Sequence, residues 1–201
     1  MMNIYIIDSR PDYRTTDHIF IIKTILNKYL YKNKKQVFAC FVDFSKAFDS
    51  LSHEALFQKL YTLGIKGIFV QLIHNMYTHA KFVVKKDHTI TDLSILGKGV
   101  RHGDGLSPLL FNIFINDIDS IFSSDTCFPV QLTKLNCLLH ADDLLLFSES
   151  KEGLQSCLDS LKAYCDRWKL KVNLTKTKIM IFSKGHKNFK KFHFFYNNLE
   201  I

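Results

Sequence analysis

The chain has 201 residues, 47% of them hydrophobic, with 18 phenylalanines and a formal net charge of +8. That is enough to bury one good core, and the apolar content excludes a disordered chain. No apolar run in the chain approaches the roughly 18 residues a helical membrane span needs.

The opening "MMNIYIIDSR" lacks the basic start and small-residue cleavage site of a secretory signal. The cysteines (Cys40, Cys127, Cys137, Cys157, Cys165) are an odd set without a C-x-x-C pair. That pattern argues against zinc and a disulfide framework, fits a reducing intracellular setting, and makes the thiols core fillers.

Along the chain, "TTDHIFIIKTILNKYLYKNK" repeats apolar residues at helical spacing (Ile19, Ile22, Leu26, Tyr29, Leu30) and predicts an amphipathic helix. "QVFACFVDF" predicts a strand buried on both faces. Two helices follow, one carrying Leu56, Phe57, Leu60 and Tyr61 and ending at Gly64. The other carries Ile68, Phe69, Leu72, Ile73, Met76 and Tyr77. "AKFVVKK" and "TITDLSIL" predict a strand pair, and "GKGVRHGDGLSP" a loop. Ser107 and Pro108 serve there as N-cap and first turn of the helix "LLFNIFINDIDSIF". Residues 123–135 read as a loop. "NCLLHADDLLLFSES" predicts strand, tight Asp-Asp turn and strand. In "KEGLQSCLDSLKAYCDRW", Leu154, Leu158, Leu161, Cys165 and Trp168 form one helical stripe. "KVNLTKTKIMIFSK" predicts a strand and "KKFHFFYNNLEI" the start of another. The elements make an α+β fold with an antiparallel sheet. From Lys162 onward ten Lys/Arg face only Asp166 and Glu200. This tract fits a solvated basic face or a polyanionic partner such as nucleic acid equally well.

Asp142 and Asp143 interrupt an apolar run, and Asp43 ends another. Buried neighbouring carboxylates repel and are costly to desolvate. If the two segments lie side by side, the three carboxylates become tolerable around divalent cations. Hard ions such as Mg²⁺ take oxygen ligands and leave positions for water and phosphate. Two such ions suit in-line phosphoryl transfer. The plainer reading is a hairpin turn and a strand end.

The segments around these residues carry a resemblance. "FVDFSKAFDSLSHEALFQKLYTLGI", "GVRHGDGLSPLLFNIFIND", "LLHADDLLLFSES" and "WKLKVNLTKTKIMIF" resemble, in order and spacing, motifs of the reverse transcriptase domain of non-LTR (LINE-type) retrotransposons. "RPDYRTTDHIF" resembles that family's fingers-to-palm segment. The resemblance implies a polymerase palm, a ferredoxin-like βαββαβ antiparallel sheet with helices on one face, plus partial helical fingers. Residues 1–35 would be a partial fingers segment, 36–184 the palm with inserted helices, and 185–201 the start of the connection to a thumb. The chain thus resembles a truncated copy, with further fingers, a thumb and an endonuclease expected elsewhere in a polyprotein.

By the same resemblance the function is RNA-directed DNA polymerisation: dNTPs are added to a DNA primer 3′-hydroxyl on an RNA template, with two Mg²⁺ or Mn²⁺ ions. Asp43 and Asp142 match the principal metal ligands and Asp143 their companion. Phe48 matches the steric gate against a 2′-hydroxyl, and Arg101, His102 and Gly103 the segment touching nucleotide and template. Lys176 is the basic group near the leaving pyrophosphate, with Lys178 as its rival. Arg10 and Arg14 are candidates for phosphate contact. Three positions depart from the family pattern: His140 replaces an aromatic, usually Tyr, before the A-D-D; His102 replaces Gln; Asp8-Ser9 replaces Gly-Phe. Imidazole prefers softer metals than Mg²⁺, so the histidines are expected to weaken nucleic-acid positioning rather than add metal ligands. The alternative function is an inactive retrotransposon remnant that at most binds nucleic acid.

Overall fold

The computed structural model describes residues 15–101, 103–123, 128–130, 133–184 and 192–201. His102, Arg10, Arg14 and Cys127 lie outside them. The elements in chain order are α1 (Thr15–Leu26), continued as a π-helical turn at Asn27–Lys32, then β1 (Val37–Asp43), α2 (Ala47–Ser50), α3 (His53–Thr62) and α4 (Ile68–Thr78). Four two-residue strands follow, β2 (Lys81–Phe82), β3 (Lys85–Lys86), β4 (Thr89–Ile90) and β5 (Ser94–Ile95), and then α5 (Leu106–Ile115). The remainder is a 3₁₀ turn at Ile118–Ile121, β6 (Phe128–Val130), β7 (Thr133–Leu135), β8 (Cys137–His140), β9 (Asp143–Ser148), α6 (Lys151–Trp168), β10 (Lys178–Phe182), β11 (Phe195–Tyr196) and β12 (Leu199–Glu200). They form two compact units: one runs up to Ser45 and from Ile115 onward, the other is Lys46–Phe114.

The first unit is built on a four-stranded antiparallel sheet in the order β10-β1-β9-β8. Strand alternation divides β1 between two faces. Val37 and Ala39 join Leu138 and Phe147 in a core with Ile25, Tyr29 and Leu30 from the α1 side and Phe128 and Leu135 from the β6–β7 hairpin. Phe38, Cys40 and Val42 point the other way and are buried too. On that face Ser148, at the end of β9, pairs with Phe38, and α6 lies against β1 and β9. The Ser150 hydroxyl caps α6 by accepting the Gly153 N–H at 3.0 Å. All five predicted stripe residues, Leu154, Leu158, Leu161, Cys165 and Trp168, are buried. α1, in the segment read as partial fingers, covers the face opposite α6. Phe41 is 43% exposed, so β1 is not sealed along its whole length.

Other local expectations also shift. The turn between β8 and β9 is Ala141-Asp142 rather than Asp-Asp, since His140 and Asp143 already pair. The reading of 123–135 as a loop gives way to the β6–β7 hairpin. The helix after the glycine loop stops at Ile115, and the Ile118–Ile121 segment is a separate 3₁₀ turn. Its N-terminal cap is not Ser107: the Asp104 carboxylate accepts the Leu106 N–H at 3.0 Å, while the Ser107 hydroxyl donates to the Arg101 carbonyl at 2.6 Å.

In the second unit, α4 buries Val70, Ile73 and Tyr77, whereas Ile68, Phe69 and Leu72, apolar residues the sequence reading placed on this helix, are exposed. The predicted strand pair is reduced to two short ladders, β2 with β5 and β3 with β4. Among the described residues no helix is long and apolar enough to cross a membrane.

Candidate active site

Register brings the acidic residues together. Asp43, the last residue of β1, stands opposite Asp143, the first of β9, and Asp143 in turn stands opposite His140 of β8. Cross-strand partners share a face, so His140, Asp143 and Asp43 form a row across three strands. Asp142 occupies the turn beside the row. Ala141, the first residue of that turn, has φ 52°. A left-handed conformation at a residue other than glycine costs about 1–2 kcal/mol, and strain of this kind gathers at functional sites.

The turn leading into β10 adds a basic group beside the row. Phe41 pairs with Lys178, and Lys176, two residues ahead, brings its Nζ to 3.8 Å from Asp43 Oδ1. Lys178 instead donates to the Thr175 carbonyl at 2.8 Å. The Lys176 side chain is 69% exposed, so the pair adds little stability; its significance is placement. The backbone of Asp43 is held from the same side: its N–H donates to Thr177 Oγ1 at 3.3 Å and its carbonyl accepts the Asn173 N–H at 2.8 Å.

Like charges directly opposite each other destabilise a ladder. Asp43 and Asp143 are such a pair, half-buried and exposed respectively, and Asp142 adjoins them half-buried. An all-oxygen donor set of this kind fits a hard divalent cation that leaves positions for water or phosphate. Among the described residues no group of three or more His, Cys, Asp or Glu side chains is arranged to hold a metal ion. The carboxylates share one end of the sheet without converging on a single point. His140 edges against His18 of α1 at a ring-centroid distance of 6.4 Å. Its Nδ1 is buried without a hydrogen-bond partner among the described residues.

The remaining predicted residues belong to the second unit. Phe48 is half-buried, tilted against Phe111 at 4.7 Å, and its carbonyl accepts the Val100 N–H at 2.8 Å. That bond ties Phe48 to the loop carrying Arg101 and Gly103. Arg101 is exposed and its Nη2 reaches the Met76 carbonyl at 3.4 Å. Gly103 has φ 80°, and a Cβ there would meet nothing within 4 Å. Its glycine therefore serves the backbone angle and leaves the surface open.

A model of the family described as reverse transcriptase (RNA-dependent DNA polymerase) matches residues 5–195. The chain belongs to this family. The reverse transcriptase relatives it resembles include the retrovirus-related Pol polyprotein from type-2 retrotransposable element R2DM of Drosophila melanogaster. That protein is 33% identical over 76% of this chain and 15% of its own length. The probable RNA-directed DNA polymerase from transposon BS of the same fly is 30% identical over 73% of this chain and 16% of its length. These bear out the likeness to retrotransposon reverse transcriptases, and the chain spans about 15% of the length of these relatives. Among solved structures, apo telomerase from Candida tropicalis matches over 98% of this chain and 36% of its own, with TM-score 0.67 and 16% identity. A form truncated from its C-terminal domain matches over 94% and 38%, with TM-score 0.66 and 19% identity. The α+β fold is thus shared with these structures.

Three positions in this reverse transcriptase domain escaped the sequence reading. Gly99, with φ 84°, lies so close to Asp49 that a Cβ would fall 2.6 Å from the Asp49 carbonyl oxygen. His53 Nε2 stands 2.8 Å from the Gly99 carbonyl and helps fix the loop. The glycines of "GKGVRHGDGLSP" marked a loop, but only tertiary contact makes one of them obligatory. Thr177 was visible in "NLTKTK" only as a neighbour of the lysines.

Proposed function

We propose that this chain catalyses RNA-templated addition of dNTPs to a DNA primer 3′-hydroxyl, with Asp43, Asp142 and Asp143 holding two Mg²⁺ ions, or Mn²⁺ in their place. The observation that carries this reading is the row His140–Asp143–Asp43 with Lys176 beside it. When bound, the ions supply Lewis-acid activation of the hydroxyl and neutralise charge on the phosphate. The carboxylates of the row orient that centre from a rigid sheet end, and Lys176 is poised to give a proton to the leaving pyrophosphate. Phe48 rejects a ribose 2′-hydroxyl by bulk, while Arg101, His102 and Gly103 line the nucleotide and template side. His140 rests against the primer end, where it offers less ring area than a tyrosine.

In this reading the strand order supports a ferredoxin-like βαββαβ palm over residues 36–184. Residues 1–35 are part of the fingers and 185–201 lead toward a thumb. The partners are RNA template, DNA primer, dNTPs and the rest of a retrotransposon polyprotein, in an intracellular setting. A second reading, a remnant that binds nucleic acid without synthesis, draws on His140 and its Nδ1, which has no hydrogen-bond partner among the described residues.

Primer extension on an RNA template separates the two. The polymerase reading expects dNTP incorporation that requires Mg²⁺ or Mn²⁺ and rises several-fold in His140→Tyr. Salt-sensitive binding with no product, in both the native chain and His140→Tyr, would establish the remnant reading instead.

A further inference from the structure

Thr177 is a buried polar side chain at the foot of an open strand. It is 1% exposed, although Lys178, the residue after it, is exposed and the Lys176 side chain before it is 69% exposed. Its hydroxyl oxygen accepts the Asp43 N–H at 3.3 Å, and its own N–H donates to the Asn173 carbonyl at 2.9 Å. Asn173 returns to the same residue, donating its N–H to the Asp43 carbonyl at 2.8 Å. The grip continues next door: the Ser45 N–H donates to the Lys171 carbonyl at 2.7 Å, and Phe44 bridges Val172. Both polar groups of the Asp43 peptide are therefore held by the turn that carries Lys176. Asp43 is the last residue of β1, where the ladder to β10 has already ended at Phe41–Lys178. Without the turn its N–H would have no partner on that side.

We infer that Thr177, with Asn173, is a positioning residue: it fixes the Asp43 carboxylate and holds Lys176 at a set distance from it. The inference rests on the catalytic role proposed above for Asp43. Positioning within a fraction of an ångström is what a transition-state site demands, and a hydrogen-bonded peptide on a sheet end gives that rigidity. Valine matches threonine in shape but accepts no hydrogen bond, so Thr177→Val removes the bond to the Asp43 N–H and leaves the backbone bond from Asn173 in place.

The test compares the native chain with Thr177→Val and Thr177→Ser in two measurements. The first is amide hydrogen exchange. In Thr177→Val the Asp43 amide exchanges at least tenfold faster while Cys40 and Val42 in the same strand do not change, and serine restores the native rate. Unchanged exchange at Asp43, or faster exchange along all of β1, overturns the inference, because it shows no grip or a merely structural one. The second is primer extension. The inference expects kcat to fall at least tenfold in Thr177→Val with KM for dNTP within twofold, a higher Mn²⁺ requirement, and recovery in Thr177→Ser. Equal turnover and metal requirement in the native chain and Thr177→Val overturn the positioning role and leave the polymerase reading standing. A native chain that makes no product overturns that reading, and the Asp43 exchange result still decides whether the grip exists.

Discussion

Gly99 and Gly103 both have positive φ, yet the structure asks different things of them. Gly103 faces open space, so a side chain there meets only the backbone penalty. At Gly99 an added Cβ runs into the Asp49 backbone, whose carbonyl carbon and Cα both lie 2.9 Å away. No rotamer change relieves a clash with backbone. Gly99→Ala is therefore expected to destabilise the Lys46–Phe114 unit by about 2 kcal/mol or more, combining overpacking and a left-handed alanine. Urea unfolding checks this, with Gly103→Ala as the milder comparison. The acidic residues were legible because each breaks or ends an apolar run. Their register was not, since the pairing of Asp43 with Asp143 joins segments a hundred residues apart. A local pattern carries no such distance information, and for the same reason the turn was placed one residue too late.

At the scale of elements, α6 was read correctly because its apolar stripe runs unbroken along one face from Leu154 to Trp168. α4 was also read correctly as a helix, but its buried face was not legible, because its apolar residues surround most of the helix and periodicity cannot say which of them another element covers. The β6–β7 hairpin escaped because Pro129 argues against a strand interior. The seating of α6 makes a sharper point. A Cβ on Gly153 would fall 2.2 Å from Ser148 Oγ, and Ser148 is buried beneath the helix start. Gly153→Ala is expected to cost about 1–3 kcal/mol. The obstacle here is a side-chain hydroxyl rather than backbone, so Ser148→Ala in the same chain should recover part of the loss. A double-mutant cycle by thermal or urea unfolding measures that coupling.

For the molecule as a whole, the buried thiols set an alkaline limit. Burial pushes the Cys40 thiol up to about 12, and burial chiefly, with opposing smaller effects from neighbours, pushes Cys165 to about 11. Both begin near 9 in an accessible chain. Raised values mean that the folded state keeps protons the unfolded state gives up. The contribution is intact below pH 9 and is lost as pH rises from about 9 toward 11–12. The melting temperature should accordingly hold between pH 7 and 8.5 and fall above pH 9, less steeply in Cys40→Ala when each protein is compared with its own value at pH 8. At pH 8 the buried Cys40, Cys137, Cys157 and Cys165 should resist thiol reagents until the chain unfolds.

These scales meet at the sheet end where Asp43, Asp142 and Asp143 stand. If the carboxylates there form a metal-dependent polymerase centre, as proposed, one substitution removes a metal-binding charge without changing side-chain volume. In single-turnover primer extension on an RNA template with saturating Mg²⁺, Asp142→Asn should lower the rate at least a thousandfold, about 4 kcal/mol of transition-state stabilisation. Primer–template affinity should stay near the native value. Extension by Asp142→Asn at the native rate would contradict the account.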